Sequence, residues 1–185
     1  MSRSVEFEYS DRLWAIIPPP GDRDADARWM DEQVAVMSSG TAADAGQVSL
    51  AAARAAAAAA LAARRPEAVT SLLFRPTGDL VFGLVHVVAL EGGTGGDGEW
   101  WRPGDALTGE PVITMFSAAS IPEGRRLVYV LAESFDDGDM ASAIAYAFEV
   151  ADARVIVYSE PARVDVTAML ADACDLLVDS MVVTG

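Results

Sequence analysis

Apolar and polar residues alternate over several stretches of the chain with the period of a half-buried β-strand. In the first stretch, 5–9, Val5, Phe7 and Tyr9 would lie on one face. A turn-like spacer leads to a second apolar run, 13–17, which three prolines end because proline cannot donate to a strand ladder. The pattern predicts an N-terminal β-hairpin.

Further strands are predicted in the second half of the chain. They cover residues 69–74, 80–90, 112–116, 126–133, 143–150 and 155–159. The run 80–90 is nearly apolar throughout, so we expect it in the middle of the sheet. Short links between the runs, such as the one at Asp152-Ala153, favour antiparallel pairing.

Three segments have the composition or spacing of helices. Residues 26–37 and 166–181 carry apolar side chains at helical spacing, and Asp165 is the predicted N-cap of the second. The predicted apolar stripe of the second consists of Val166, Met169, Leu170, Ala173, Leu177 and Met181. Residues 49–65 read SLAAARAAAAAALAARR, and alanine has the highest helix propensity. Together the elements predict an α+β fold, residues 1–185 forming one domain. Its mostly antiparallel sheet of about six or more strands would be covered by helices, including an Ala-rich helix and a C-terminal helix.

The alanine-rich helix has its large side chains on one side. At about 100° per residue they fall in a sector roughly 100° wide; they are Leu50, Arg54, Leu61, Arg64 and Arg65. We therefore expect the arginines to face water and the methyl face to pack on the sheet. The methyl face includes Ala52, Ala55, Ala56, Ala59, Ala60 and Ala63. Leucine at Ala56 or Ala59 would then overpack the core. In the alternative arrangement the leucines point inward and the arginines snorkel at the ends.

The charge of the chain limits its partners. There are 28 acidic residues against 13 basic ones, a net charge of -15. The electric field of so negative a protein repels polyanions, so we expect it to bind neither nucleic acid nor an anionic membrane surface. The pairs Arg64-Arg65 and Arg125-Arg126 are too small to reverse it. All the basic residues are arginine, and this together with abundant alanine is typical of high-GC actinobacterial genomes.

The N-terminal segment MSRSVEFEYS has no apolar run of signal-peptide type and no cleavage-site pattern. No segment of the sequence has the length and apolarity of a membrane-spanning helix. We therefore expect a cytoplasmic protein.

Few residues offer catalytic chemistry. His86, the sole histidine, lies in the most apolar predicted strand, where a hydrogen-bonded histidine inside the sheet is favoured over a general base. Cys174, the sole cysteine, lies beside the apolar stripe of the last predicted helix and is expected to be a buried, unreactive thiol.

Two loop motifs come close to known ligand-binding patterns. Asp136, Asp137 and Asp139 resemble half of a calcium loop, but Ile144 stands where the EF-hand pattern needs glutamate, so a tight turn is favoured. The run GGTGGDG at 92–98 lacks the lysine of a phosphate-binding loop. No cofactor and no metal is predicted.

Trp100, Trp101 and Arg102 end this glycine-rich loop and form a possible binding loop. An exposed tryptophan on a loop is a plausible anchor for a partner. In the alternative, one tryptophan packs over the sheet edge and the other shields a turn.

The C-terminal third resembles a known family. The hairpin ASAIAYAFEVADARVIVYSEP and the helix VDVTAMLADACDLLVDSMVV follow each other as at the close of PsbP-like domains and related actinobacterial lipoproteins. The resemblance implies a sheet sandwiched by helices and a non-enzymatic accessory or binding module, and it gives no catalytic residue to carry over.

The leading functional prediction is therefore a non-catalytic accessory protein that binds another protein through residues 92–103 or the acidic surface. One alternative is a small-molecule-binding protein or enzyme with a carboxylate-based site near His86 or residues 136–139. Another is a self-assembling structural protein. The sequence leaves the oligomeric state open.

Overall fold

The structure of the protein is a computed structural model that describes residues 4–38, 49–76, 81–91, 100–101, 104, 107–150 and 153–184. Its helices are α1 (Arg23–Ser38), α2 (Leu50–Ala62) and α3 (Val164–Asp179). Its strands are β1 (Ser4–Glu6), β2 (Trp14–Ile16), β3 (Thr70–Phe74), β4 (Gly83–Glu91), β5 (Val112–Ala118), β6 (Ile121–Ser134), β7 (Met140–Val150), β8 (Ala153–Ser159), β9 (Ala162–Arg163) and β10 (Val182–Thr184).

The main sheet has eight strands, and its strand pairs are antiparallel. Seven of them follow the order β2-β3-β4-β8-β7-β6-β5, and β9 pairs with β7. The predicted α+β class is confirmed. The nearly apolar β4 lies between β3 and β8, because a strand buried on both faces needs apolar residues throughout.

One face of the sheet packs against α3 and forms the larger core. Large side chains of β7, Ile144, Tyr146 and Phe148, meet Leu170 and Leu177 of α3 there. Because side chains alternate along β7, its small residues, such as Ala143 and Ala145, lie on the opposite face.

The opposite face is covered in two parts. Helices α1 and α2 cover the β2–β4 end, where Trp29 and Ala57 pack with Leu73. Trp101 and Leu107 pack over the small residues of β7 and over β6 at the other end. No helix among the described residues is long and apolar enough to cross a membrane.

The predicted N-terminal hairpin is wrong. Strand β1 pairs with β10, Val5 opposite Val183, and β2 pairs with β3, Trp14 opposite Phe74. The turn that separates them, where the backbone amide of Leu13 donates to the Ser10 carbonyl at 2.9 Å, redirects the chain instead of folding it back.

Two helix starts differ from the prediction. Helix α1 begins at Arg23, because Asp22 Oδ1 accepts from the backbone amides of Asp24 and Ala25, both at 3.0 Å. The N-cap of α3 is Arg163, which makes no side-chain capping bond, and Asp165 lies inside the first turn.

The apolar stripe of α3 is largely as predicted. Leu170, Ala173, Leu177 and the following Met181 are buried, whereas Met169 is 41% exposed. Met169 is therefore the member of the predicted stripe that turns away from the sheet.

Helix α2 buries a methyl face that shares Ala60 with the predicted one but is otherwise different. Its buried residues are Ala53, Ala57 and Ala60, while Ala59 is exposed. At about 100° per residue this stripe is rotated by roughly a third of a turn from the expected one. We attribute the rotation to α1, because α2 packs against both α1 and the sheet.

Arginines in α2 and just after it pair with acidic residues of α1. Arg64 forms a bidentate pair with Asp26 of α1, at 2.7 and 3.0 Å, and its side chain is only 16% exposed. Arg54 lies 3.7 Å from Asp31 of α1 and stays exposed. The prediction that the arginines face water thus holds for Arg54 and is wrong for Arg64.

Candidate functional site

An apolar groove of about 240 Å³ opens between α2 and the main sheet. It is lined by Ala56, Ala59, Ala60, Leu73, Phe82, Gly83, Leu84, Glu160, Pro161 and Ala162. Alanine side chains on α2 are too short to reach across to β4, and the space that they leave is the groove. We call it the α2 groove.

A row of polar side chains begins at the rim of the α2 groove. Ser71 Oγ lies 2.8 Å from His86 Nδ1, and His86 Nε2 lies 3.2 Å from Glu160 Oε1. Arg65 donates to the same Glu160 oxygen from Nε at 2.8 Å and from a terminal nitrogen at 2.5 Å. Strand register produces the row, because His86 of β4 stands opposite Ser71 of β3 and Tyr158 of β8.

The row is closed to solvent at one end and open at the other. His86 is completely buried and Ser71 is buried, while the Glu160 side chain is 22% exposed. The contacts with His86 and Arg65 hold the pKa of Glu160 below its ordinary value, although partial burial opposes this. His86 Nε2 is within ion-pair distance of Glu160 but is not aligned as a hydrogen bond.

Serine, histidine and glutamate in a row invite comparison with a hydrolase triad. In such a triad the serine oxygen is exposed to substrate and the acid is buried behind the histidine. Here the order is reversed, because Glu160 lines the groove and Ser71 does not. The row therefore presents a carboxylate to a ligand and no nucleophilic serine. The predicted hydrogen-bonded histidine inside the sheet is found at His86.

The acidic turn before β7 is paired with arginine. Arg163 lies 2.9 Å from Asp137 and also forms an ion pair with Asp139. A shallow cavity of about 460 Å³ adjoins it, with Asp139, Arg163 and Asp165 in its lining. Within the described ranges, no group of three or more histidine, cysteine or acidic residues is placed to hold a metal ion.

The two tryptophans of the predicted binding loop are both half-buried on the sheet. Trp100 donates from Nε1 to Glu149 at 2.8 Å, and the Arg154 guanidinium lies 4.9 Å from its ring centre. The Arg125 guanidinium lies 5.2 Å from the ring of Trp101. Arg102 lies outside the described residues, so the binding loop stays a prediction.

Cys174 is on the buried face of α3, as predicted. Burial raises the pKa of its thiol and keeps the thiol protonated. Next to it, Tyr146 donates to Asp175 at 2.5 Å and Arg126 donates to the same carboxylate at 2.8 Å. These contacts hold α3 against β6 and β7, so we assign them a structural role.

Sequence reasoning found His86 but missed Ser71, Arg65 and Glu160. Glu160 is 95 positions from Arg65 and His86 is 15 positions from Ser71, and no local pattern links them. Glu160 carried one usable signal, since a glutamate followed by Pro161 directly after an apolar strand stands at the end of that strand.

Comparison with known proteins finds a match in structure but none in sequence. No family model matches the chain, and no curated protein matches it. A solved structure does: LpqN, described as involved in cell envelope biogenesis of Mycobacterium tuberculosis, has a TM-score of 0.55 and 10% sequence identity. The match covers 100% of this chain and 85% of that one.

At this identity the likeness shows the fold alone. The neighbour comes from an actinobacterium, which is consistent with the resemblance to actinobacterial proteins. The PsbP-like part of that resemblance gains no support from the comparisons.

Proposed function

We propose that this protein is a non-catalytic accessory protein that binds another protein, and that the α2 groove receives an apolar side chain of the partner. The observation that carries the proposal is the lining of the groove. Methyl groups, leucines and a phenylalanine form it, and Glu160 is the charged member among the described lining residues. Burial of an apolar side chain in such a lining contributes about 25 cal/mol per Å² before the entropic and ordering costs of association are subtracted.

The size of the groove favours a side chain over a free small molecule. Pockets for small molecules and cofactors measure about 300–1,000 Å³. The α2 groove, at about 240 Å³, lies below that range. A buried anchor residue at the centre of a protein interface needs less space, because the surrounding surface supplies the remaining contacts.

The state of Glu160 supports binding without turnover. Its carboxylate already accepts two bonds from Arg65 and faces His86, so it is held as an anion. A carboxylate that acts as a general acid or base needs a pKa raised toward neutrality, whereas the pKa of Glu160 is lowered.

LpqN supplies the biological setting for this proposal, since it is described as involved in cell envelope biogenesis. We propose an accessory role in the same process for this chain. The net charge of -15 favours a partner with basic residues around its apolar anchor.

The test is a selection of short random peptides displayed against the intact protein. We expect the enriched peptides to share one large apolar residue flanked by basic ones. Ala59→Leu fills the groove from the exposed side of α2 and should weaken their binding at least tenfold. Ala58→Leu is the matched control, because Ala58 is exposed on the same helix and does not line the groove.

Peptides that bind both variants equally well would place the binding surface elsewhere and contradict the proposal. A separate activity assay tests whether the protein is an enzyme. Turnover of a model ester or amide that disappears in Glu160→Gln would overturn the non-catalytic assignment.

A further inference from the structure

Strand β5 forms one edge of the main sheet and has an unusual surface for an edge. Among the described strands, only β6 pairs with it. Val112 is 65% exposed and Met115 is 64% exposed, and Ile113 and Thr114 between them are exposed as well. The opposite edge, β2, has three residues, whereas β5 has seven.

Natural proteins protect long edge strands against pairing with other strands. They use charged side chains, proline, bulges or very short strands. The segment 112–116 has no charge and no proline, and the register irregularity of β5 comes after Phe116. Among the described residues, no other strand pairs with the outer edge of this segment, which keeps a regular row of backbone donors and acceptors there.

We propose that β5 pairs antiparallel with β5 of a second copy of this chain, about a two-fold axis at Thr114. The main sheets of the two copies then join into one. This proposal does not depend on the α2 groove, which lies at the other end of the sheet, beside β3 and β4.

The sequence of β5 is complementary to itself in this register. Val112 faces Phe116 of the other copy, Ile113 faces Met115, and Thr114 faces Thr114. Apolar cross-strand pairs and threonine pairs are among those that stabilise antiparallel sheets, and like charges directly opposite would destabilise them. No charged residue of segment 112–116 enters the seam, and an isologous contact closes on itself as a dimer.

Charge elsewhere in the molecule predicts how the dimer responds to salt. Each copy carries a net charge of -15, so the two copies repel each other over long range. Salt screens this repulsion, with a Debye length of about 8 Å at 0.15 M and about 3 Å at 1 M. We expect the dimer to become tighter as salt is added, the opposite of an interface held by ion pairs.

Cysteine cross-linking tests the register directly. Residues directly opposite in an antiparallel pair have Cα atoms about 4.5–5.5 Å apart, which a disulfide can bridge. Thr114→Cys should therefore give a covalent dimer on mild oxidation. The control is Val112→Cys, whose two copies would be about 13 Å apart, four residues along the strand. The native Cys174 is buried and leaves a clean background.

Sedimentation measurements then test the dimer without cross-linking. The expected mass rises from 19.5 kDa toward twice that value with protein concentration and with salt. Thr114→Lys and Thr114→Glu place like charges opposite each other and should each be monomeric, whereas their mixture should form a one-to-one dimer. Thr114 is exposed, so both variants retain the fold.

Two results would overturn the proposal. One is a wild-type chain that stays monomeric at every concentration and salt level, which would leave the edge to a strand of another protein. The other is a dimer that persists in Thr114→Lys, or equal cross-linking of Thr114→Cys and Val112→Cys, which would place the dimer contact elsewhere.

Discussion

Replacing Ala57 by leucine tests how α2 is turned on the sheet. Ala57 is completely buried and packs with Trp29 and Leu73, so the added carbon atoms have no free space to enter. Overpacking of this kind costs about 1–3 kcal/mol. For a chain of this length that corresponds to a fall in Tm of roughly 2–12 °C, at about 2–4 °C per kcal/mol.

Ala58→Leu is the matched control, because Ala58 lies on the exposed side of the same helix. Leucine has nearly the helix propensity of alanine, so the two variants differ in packing alone. Exposed substitutions of this type usually change stability by less than about 0.5 kcal/mol. Ala59→Leu should behave like the control, since the α2 groove has space for its side chain.

Urea unfolding followed by tryptophan fluorescence gives the free energy of unfolding for each variant. Trp29 reports on the site itself, since it is buried beside α2 and donates from Nε1 to the Ile16 carbonyl at 2.7 Å. If Ala57→Leu is as stable as Ala58→Leu, the buried stripe of α2 is not the one described here. A loss in Ala59→Leu instead would favour the orientation expected from the sequence pattern.

Two further predictions follow from the polar row and from β6. Because the folded pKa of Glu160 is lowered, its contribution to stability is present above about pH 4.3, the usual value for glutamate, and is lost as the pH falls through the folded pKa. Glu160→Gln should therefore destabilise by about 1–2 kcal/mol at pH 7 and by less at pH 3, as measured by urea unfolding at both pH values; an equal loss at both would contradict this. Gly124→Ala should destabilise by about 1–3 kcal/mol, because a Cβ there would overlap the Phe148 ring. Gly109→Ala is the control in a thermal scan, because a Cβ at Gly109 would have no atom within 4 Å. Equal melting temperatures of the two variants would show that the Phe148 ring moves aside at little cost.

Much of the candidate site lay beyond sequence reasoning. His86 was recognisable as a buried histidine because an apolar strand surrounds it. Its partners Ser71 and Glu160 come from neighbouring strands, and the α2 groove exists because short alanine side chains happen to face β4. Such features depend on which strands become neighbours, and no local pattern encodes that.

The sequence by itself indicated the three helices and most of the strands, although not β9 and β10, and with them the α+β class. Periodicity is a local property, and β7 or α3 shows it because one face of each is buried by large apolar residues. Cys174 was placed correctly for the same reason. The tertiary structure alone decided that β1 pairs with β10, since strands so short carry too few side chains to select a partner. It also decided which stripe of α2 is buried, because a helix of methyl groups has nearly equal faces and packing against Trp29 of α1 and Leu73 of β3 selects one of them.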